Sequence, residues 1–143
     1  MRHLRLFTVI LVILTLIGCA SGMKYSEFQP QMTNQSTEMG RIIFYRTTTL
    51  GAALRPDVLL NNEKVGESIA RGFFYVDRQA GEYQVVTSTE VQRKLSFVLD
   101  KGQTRYVRFS VNMGFFVGHV YGELVEPDEA LKEIQDCKYT GGT

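Results

Sequence analysis

From residue 40 onward the apolar positions come in short runs, and in the clearest of them they recur at every second residue. That is the spacing of a strand that turns one face to a core. Leu95, Phe97 and Leu99 recur at every second position and share one face. Val107, Phe109 and Val111 do the same opposite Arg108 and Ser110. Residues 41–46 (RIIFYR) are β-branched and aromatic with a charge at each end, which also favours a strand. Further runs at 58–60, 64–65, 72–76, 82–87 and 119–125 complete seven or eight strands. Turn residues punctuate them: Asn61-Asn62 between the second and third runs, residues 78–81 before the fifth, and Asp100-Lys-Gly-Gln103. Asn and Gly tolerate the positive φ that tight hairpins need. Helical spacing is missing until residues 127–136. There Pro127 suits a first helical position, Asp128 and Glu129 suit the positive end of the helix, and Leu131 and Ile134 share one face. The pattern predicts an all-β domain over residues 39–143. It would be an antiparallel β-sandwich of seven to eight strands, Ig-like or prealbumin-like, with one short C-terminal helix.

The N-terminal part is patterned differently. Arg2 and Arg5 flank His3 in a positive opening, and residues 6–17 form an apolar run broken only by Thr8 and Thr15. Twelve residues make a helix of about 18 Å, against ~30 Å of hydrocarbon, so the run suits a signal peptide and not a span. It ends in Leu16-Ile17-Gly18-Cys19, which resembles the lipobox of bacterial lipoproteins. A thiol at that point takes up diacylglycerol. The small Gly18 lets a peptidase reach the bond before it, and the freed amine of Cys19 then accepts a further, palmitate-type acyl chain. Two or three chains on one residue hold a protein to a bilayer stably. Residues 1–18 are thus expected to leave as a signal peptide. The residue after the cysteine, Ala20, is not Asp, which by resemblance to enterobacterial sorting favours the outer membrane. Residues 20–38 are polar without period and predict a flexible tether with a reach of about 25 Å. Tyr25, Phe28 and Met32 are the residues that could instead dock it on the domain.

Charge narrows the partners. Of 16 basic residues, two precede Cys19, which leaves 14 against 15 acidic ones in the remainder. A near-neutral body without a basic block offers no footprint for nucleic acid. The 143 residues suffice for one domain. With Cys19 acylated, Cys137 is left as an odd thiol. It reads either as a small buried hydrophobe or as one half of an intermolecular disulfide.

Catalytic and metal-binding patterns are sparse. Once His3 is removed, His119 is the single histidine, and no H-x-x-x-H or C-x-x-C occurs, so no metal and no cofactor are expected. His119 reads as a strand residue with a hydrogen-bond partner. Neither a G-x-S-x-G elbow nor a phosphate-binding glycine loop is present. Asp128, Glu129 and Glu133 read as a solvated helix face. Two features remain as candidate contact surfaces. Phe115-Phe116, set between Gly114 and Gly118, could form an exposed apolar tip facing a partner or the bilayer. The loop over residues 47–56 is longer than a turn requires. Its Arg55, with nearby Arg71, could grip a carboxylate or phosphate, or the loop could simply cross between two sheets.

The order of motifs carries a resemblance. Gly40-Arg-Ile-Ile-Phe-Tyr-Arg46, Gly51-Ala-Ala-Leu-Arg-Pro-Asp-Val58, Val65-Gly66-Glu67, Phe74-Tyr-Val-Asp77, Gly81-Glu82-Tyr83 and Tyr106-Val-Arg108, closing with Cys137-Lys138, resemble the bacterial lipoprotein family labelled domain of unknown function 2846. The resemblance spans about residues 38–138 and implies a small periplasm-facing or surface β-sandwich with no assigned activity. Ala80 departs from the proline expected before the Gly-Glu-Tyr turn.

The sequence therefore predicts a non-enzymatic lipoprotein of the cell envelope. Cys19 would anchor it to the membrane, and the body would bind another protein or a cell-wall component. Two alternatives compete with this reading. One is a small cell-wall hydrolase working through carboxylates that the sequence does not single out. The other is a structural assembly module that meets its copies through Cys137 or the Phe115-Phe116 tip.

Overall fold

The computed structural model describes residues 19–89, 93–114 and 118–141. The signal segment with Leu16, Ile17 and Gly18, and the Phe115-Phe116 tip, lie outside the described residues.

Among the described residues, nine strands build two sheets. They are β1 (Met39–Arg46), β2 (Asp57–Leu60), β3 (Glu63–Glu67), β4 (Gly72–Gln79), β5 (Gly81–Thr87), β6 (Leu95–Leu99), β7 (Thr104–Met113), β8 (Gly118–Val125) and β9 (Lys138–Tyr139). The first sheet runs β8-β7-β1-β4-β9 and the second β3-β2-β5-β6. The Asn61-Asn62 turn joins β2 to β3 with φ of 49° and 68°, the left-handed region that Asn reaches cheaply.

The wholly antiparallel expectation is corrected for the first sheet. β1 pairs antiparallel with β4 but parallel with β7, Ile43 opposite Tyr106, and β4 pairs parallel with the short β9. Parallel neighbours need long crossovers between them. The chain supplies one by sending β2, β3, β5 and β6 through the other sheet.

The inner faces share one core. Ile42 and Phe44 of β1, Phe74 and Val76 of β4, and Val107 and Phe109 of β7 meet Val58, Leu60, Val85, Phe97 and Leu99 of the second sheet. Phe44 stacks between Phe74 and Phe109 at centroid distances of 4.9 and 6.0 Å.

The outer face of the first sheet is covered as well. Helix α1 (Tyr25–Phe28), a 3-10 turn (Gln29–Gln31), helix α2 (Pro127–Glu133) and a second 3-10 turn (Ile134–Asp136) lie on it. Ile43, Tyr45, Phe73 and Tyr106 there bury against Tyr25, Ala130, Ile134 and Cys137. Burial on both faces explains why β1 reads as continuously apolar.

Residues 19–38 accordingly do not hang free over their whole length, as a plain tether would. Tyr25 is 2% exposed, and its N–H donates to the Cys137 carbonyl at 2.8 Å. Tyr25 and Phe28 meet Phe73 edge-on at 5.1 and 5.8 Å, and Phe28 stacks on Tyr139 at 4.1 Å. Further along, Arg41 clamps Asp77 through two hydrogen bonds of 2.6 and 2.8 Å and donates a third to the Thr33 carbonyl. The apolar residues at 25, 28 and 32 dock because the outer face of β1 would otherwise stay wet.

Candidate functional site

The strand directions collect several features at one end of the body. β1 and β7 finish there at Arg46 and Met113, and β4, β8 and β9 start there at Gly72, Gly118 and Lys138. Cys19 is at the same end. It forms a parallel bridge with Ala70, two residues before β4, and the Ala20 N–H donates to the Ala70 carbonyl at 3.0 Å. Ala20 is 6% exposed while Cys19 itself is exposed. Gly22 permits this course, because a Cβ there would overlap the Tyr139 carbonyl oxygen. The thiol thus projects from a fixed point on the fold.

Beneath that point lies Arg46, fully buried at 0% exposure. Its guanidinium donates to the carbonyls of Leu50, Gly51 and Leu54 at 2.6, 2.8 and 2.9 Å, and to Ser68 at 3.3 Å. No carboxylate among the described residues pairs with it, so burial holds its pKa below the usual arginine value. Carbonyl dipoles take the place of a counter-ion. Arg46 Nε and the nearby Ser68 Oγ have no partner among the described residues. Arg46 thereby moulds the 47–56 loop, which carries the chain from the first sheet to the second. The sequence offered only the β-branched context of Arg46 as a signal, and its burial was missed.

Arg55 and Arg71 are both exposed. The Ser68 N–H donates to the Pro56 carbonyl at 2.9 Å, which brings their two segments together at the Cys19 end. Neither arginine forms an ion pair among the described residues. Arg71 stands at φ 55°, an uncommon conformation for a long side chain. It directly follows the Ala70 that holds Cys19.

Cys137 lies close by but is closed off. It is 3% exposed, its thiol donates to the Arg46 carbonyl at 3.7 Å, and burial pushes its pKa up to about 12. A sulfur so placed does not reach a second chain, which corrects the intermolecular-disulfide reading.

Of the acidic residues of α2, Asp128 is exposed, whereas Glu129 and Glu133 are tied to Arg108. Arg108 on β7 binds Glu123 Oε1 and Glu129 Oε1, both at 2.9 Å, and also Glu133, whose other oxygen accepts from Tyr45 at 2.7 Å. Burial alone would raise the Glu123 pKa. The hydrogen bonds from Ser110 and Arg108 outweigh it and hold the carboxyl below its usual range. A general acid needs the opposite shift from that of Glu123, and the bonds from Arg108 to Glu129 and Glu133 tie α2 to the sheet. A concavity of about 480 Å³ on β5 and β6 is lined by Asn61, Tyr83, Gln84, Ser96 and a single carboxylate, Glu82. His119 Nδ1 has no hydrogen-bond partner among the described residues, contrary to the partnered strand histidine expected. No group of three or more His, Cys, Asp or Glu among the described residues is placed to hold a metal.

Comparisons with known proteins give one family match and one relative. The model of a family described as protein of unknown function (DUF2846) matches residues 36–120. A Haemophilus influenzae protein, described as an uncharacterized protein, is 30% identical over 132 residues, covering 89% of this chain and 79% of that protein. No solved structure matches the chain.

Proposed function

The chain belongs to the family of proteins of unknown function designated DUF2846, and within it we propose that this member is a non-enzymatic lipoprotein of the bacterial envelope, held to the membrane by acyl chains on Cys19. The observation that carries the reading is the joint behaviour of residues 16–20. The lipobox-like Leu16-Ile17-Gly18 ends at a thiol that is exposed, while Ala20 immediately after it is locked into the body. A residue destined for a bulky lipid has to project from the fold, and this one does. The two sheets are taken as a sandwich of the Ig-like or prealbumin-like kind, opened by the parallel β1–β7 pair. Ala20 at the second mature position favours the outer membrane, with the body facing the periplasm or the cell surface. The partner is another envelope protein or a cell-wall component.

Fractionation tests the anchor. Cys19→Ala should leave the chain unprocessed and without lipid, and radiolabelled palmitate should no longer enter it. Equal palmitate incorporation by both forms would refute the reading. Crosslinking in intact cells then tests the partner. Recovery of the chain joined to an envelope protein or to cell-wall material supports a binding role, and hydrolysis of cell-wall material by the purified chain would replace it with an enzymatic one.

A further inference from the structure

Anchoring leaves open how the body stands on the bilayer, and the Cys19 end bears on this directly. A free linker of 19 residues would let the domain tumble at about 25 Å from its anchor. Here the linker contributes no slack at its start. Cys19 is bridged to Ala70, and Ala20 is buried and hydrogen-bonded. Acyl chains on the Cys19 sulfur therefore begin within one side chain of the protein surface, and the headgroup region has to abut that surface.

The surface there suits such a neighbour. Six large hydrophobic side chains are exposed among the described residues, and three of them are near this end: Leu50 at 51%, Met113 at 60% and Met23 at 42%. Leu50 is in the loop fixed by Arg46, Met113 ends β7, and the Met23 carbonyl accepts from Tyr139 N–H at the start of β9. The carboxylates nearby are already engaged, Asp57 and Glu67 by Lys64 and Asp136 by Lys24. Arg55 and Arg71 form no salt bridge among the described residues, and because Asp57 and Glu67 share the single Lys64, these groups together leave one net positive charge. Exposed apolar side chains and two exposed arginines at one end of the body match an interface of acyl chains and anionic phosphates.

The geometry points to the Cys19 end as a membrane-contacting face: Leu50, Met113 and Met23 enter the headgroup–acyl boundary, Arg55 and Arg71 meet lipid phosphates, and the body is held upright. The Asn61-Asn62 turn and the turn at residues 100–103 then point away from the bilayer. The inference rests on acylation of Cys19.

The test uses full-length chain expressed in a bacterial host, extracted in detergent and reconstituted into vesicles of phosphatidylethanolamine with a minor fraction of phosphatidylglycerol. Single variants Leu50→Cys, Met113→Cys and, as the distal control, Lys101→Cys carry an environment-sensitive fluorophore. Cys137 stays unlabelled because it is buried. Mass spectrometry of the same samples reports acylation. The expected result is an acylated chain whose labels at positions 50 and 113 are quenched severalfold more by lipid-borne quenchers than the label at position 101. An acylated chain with equal, weak quenching at all three positions overturns this inference and leaves the anchor standing. A chain without acyl mass overturns both.

Discussion

Replacing Tyr25 by alanine removes the side chain that seats residues 19–32 on the fold. The ring is 2% exposed and packs edge-on against Phe73 at 5.1 Å. Truncating a buried aromatic costs about 3–5 kcal/mol. The loss is capped by the free energy of detaching the N-terminal segment alone, since a segment that has already let go pays nothing more. That cap is high here. Detachment also breaks the Phe28 stack on Tyr139, the Ala20 and Tyr25 backbone hydrogen bonds and the Thr33 contact with Arg41. It would wet the outer face of β1. A loss near 3 kcal/mol corresponds to roughly 10 °C in Tm for a domain of this size. Tyr25→Phe keeps the ring and gives up the hydroxyl's interaction with Tyr106, at a cost of about 1 kcal/mol. The assay is urea unfolding of the chain from residue 19 onward with Cys19→Ser. It is followed by far-ultraviolet circular dichroism because the sequence has no tryptophan. If Tyr25→Ala moved stability by less than about 0.5 kcal/mol, the range of an ordinary surface substitution, the segment would be a tether after all and the docking argument would fail.

Three further outcomes follow from the same packing. Arg46→Leu deserts the carbonyls of Leu50, Gly51 and Leu54. It should cost about 3 kcal/mol or more and expose residues 47–56 to limited proteolysis; an intact loop under protease would contradict this. Gly22→Ala forces a Cβ onto the Tyr139 carbonyl, so amide exchange over residues 20–28 should accelerate while the β7–β8 amides stay protected. Cys137 titrates near 12 in the fold against an ordinary 9. Because the folded pKa is the higher one, its contribution is complete below about pH 9 and is lost as pH rises toward 12. It amounts to at most about 4 kcal/mol. Cys137→Ala should flatten the alkaline limb of a stability–pH curve, and an unchanged limb would place the pH sensitivity elsewhere.

What the chain discloses by pattern alone is uneven, for physical reasons. Strand β6 was legible because one face is dry and the other wet, and β7 because Arg108 and Ser110, which bond to acidic side chains on its outer face, alternate with Val107, Phe109 and Val111. The β2–β3 hairpin was legible because Asn61 and Asn62 are chosen for a positive φ. Partner choice was not legible. Nothing in residues 41–46 or 104–113 distinguishes a parallel from an antiparallel neighbour, since backbone hydrogen bonds fix the pairing and any side chain tolerates both. Tyr25, Phe28 and Met32 announced a docking face through their apolar character, but too few surrounding residues were apolar to outweigh a polar average. At the candidate site, Cys19 stood out because Leu16, Ile17 and Gly18 before it form a lipobox-like pattern that is linear in the sequence. Arg46 was not, because a buried cation satisfied by main-chain carbonyls has no partner residue to look for.

The chemical state of residue 19 in protein extracted from membranes is the most direct test of the lipid anchor. Mass spectrometry of its N-terminal peptide should find residues 1–18 gone and Cys19 carrying a diacylglyceryl thioether. A peptide that still begins at Met1, with an unmodified thiol at position 19, would contradict it.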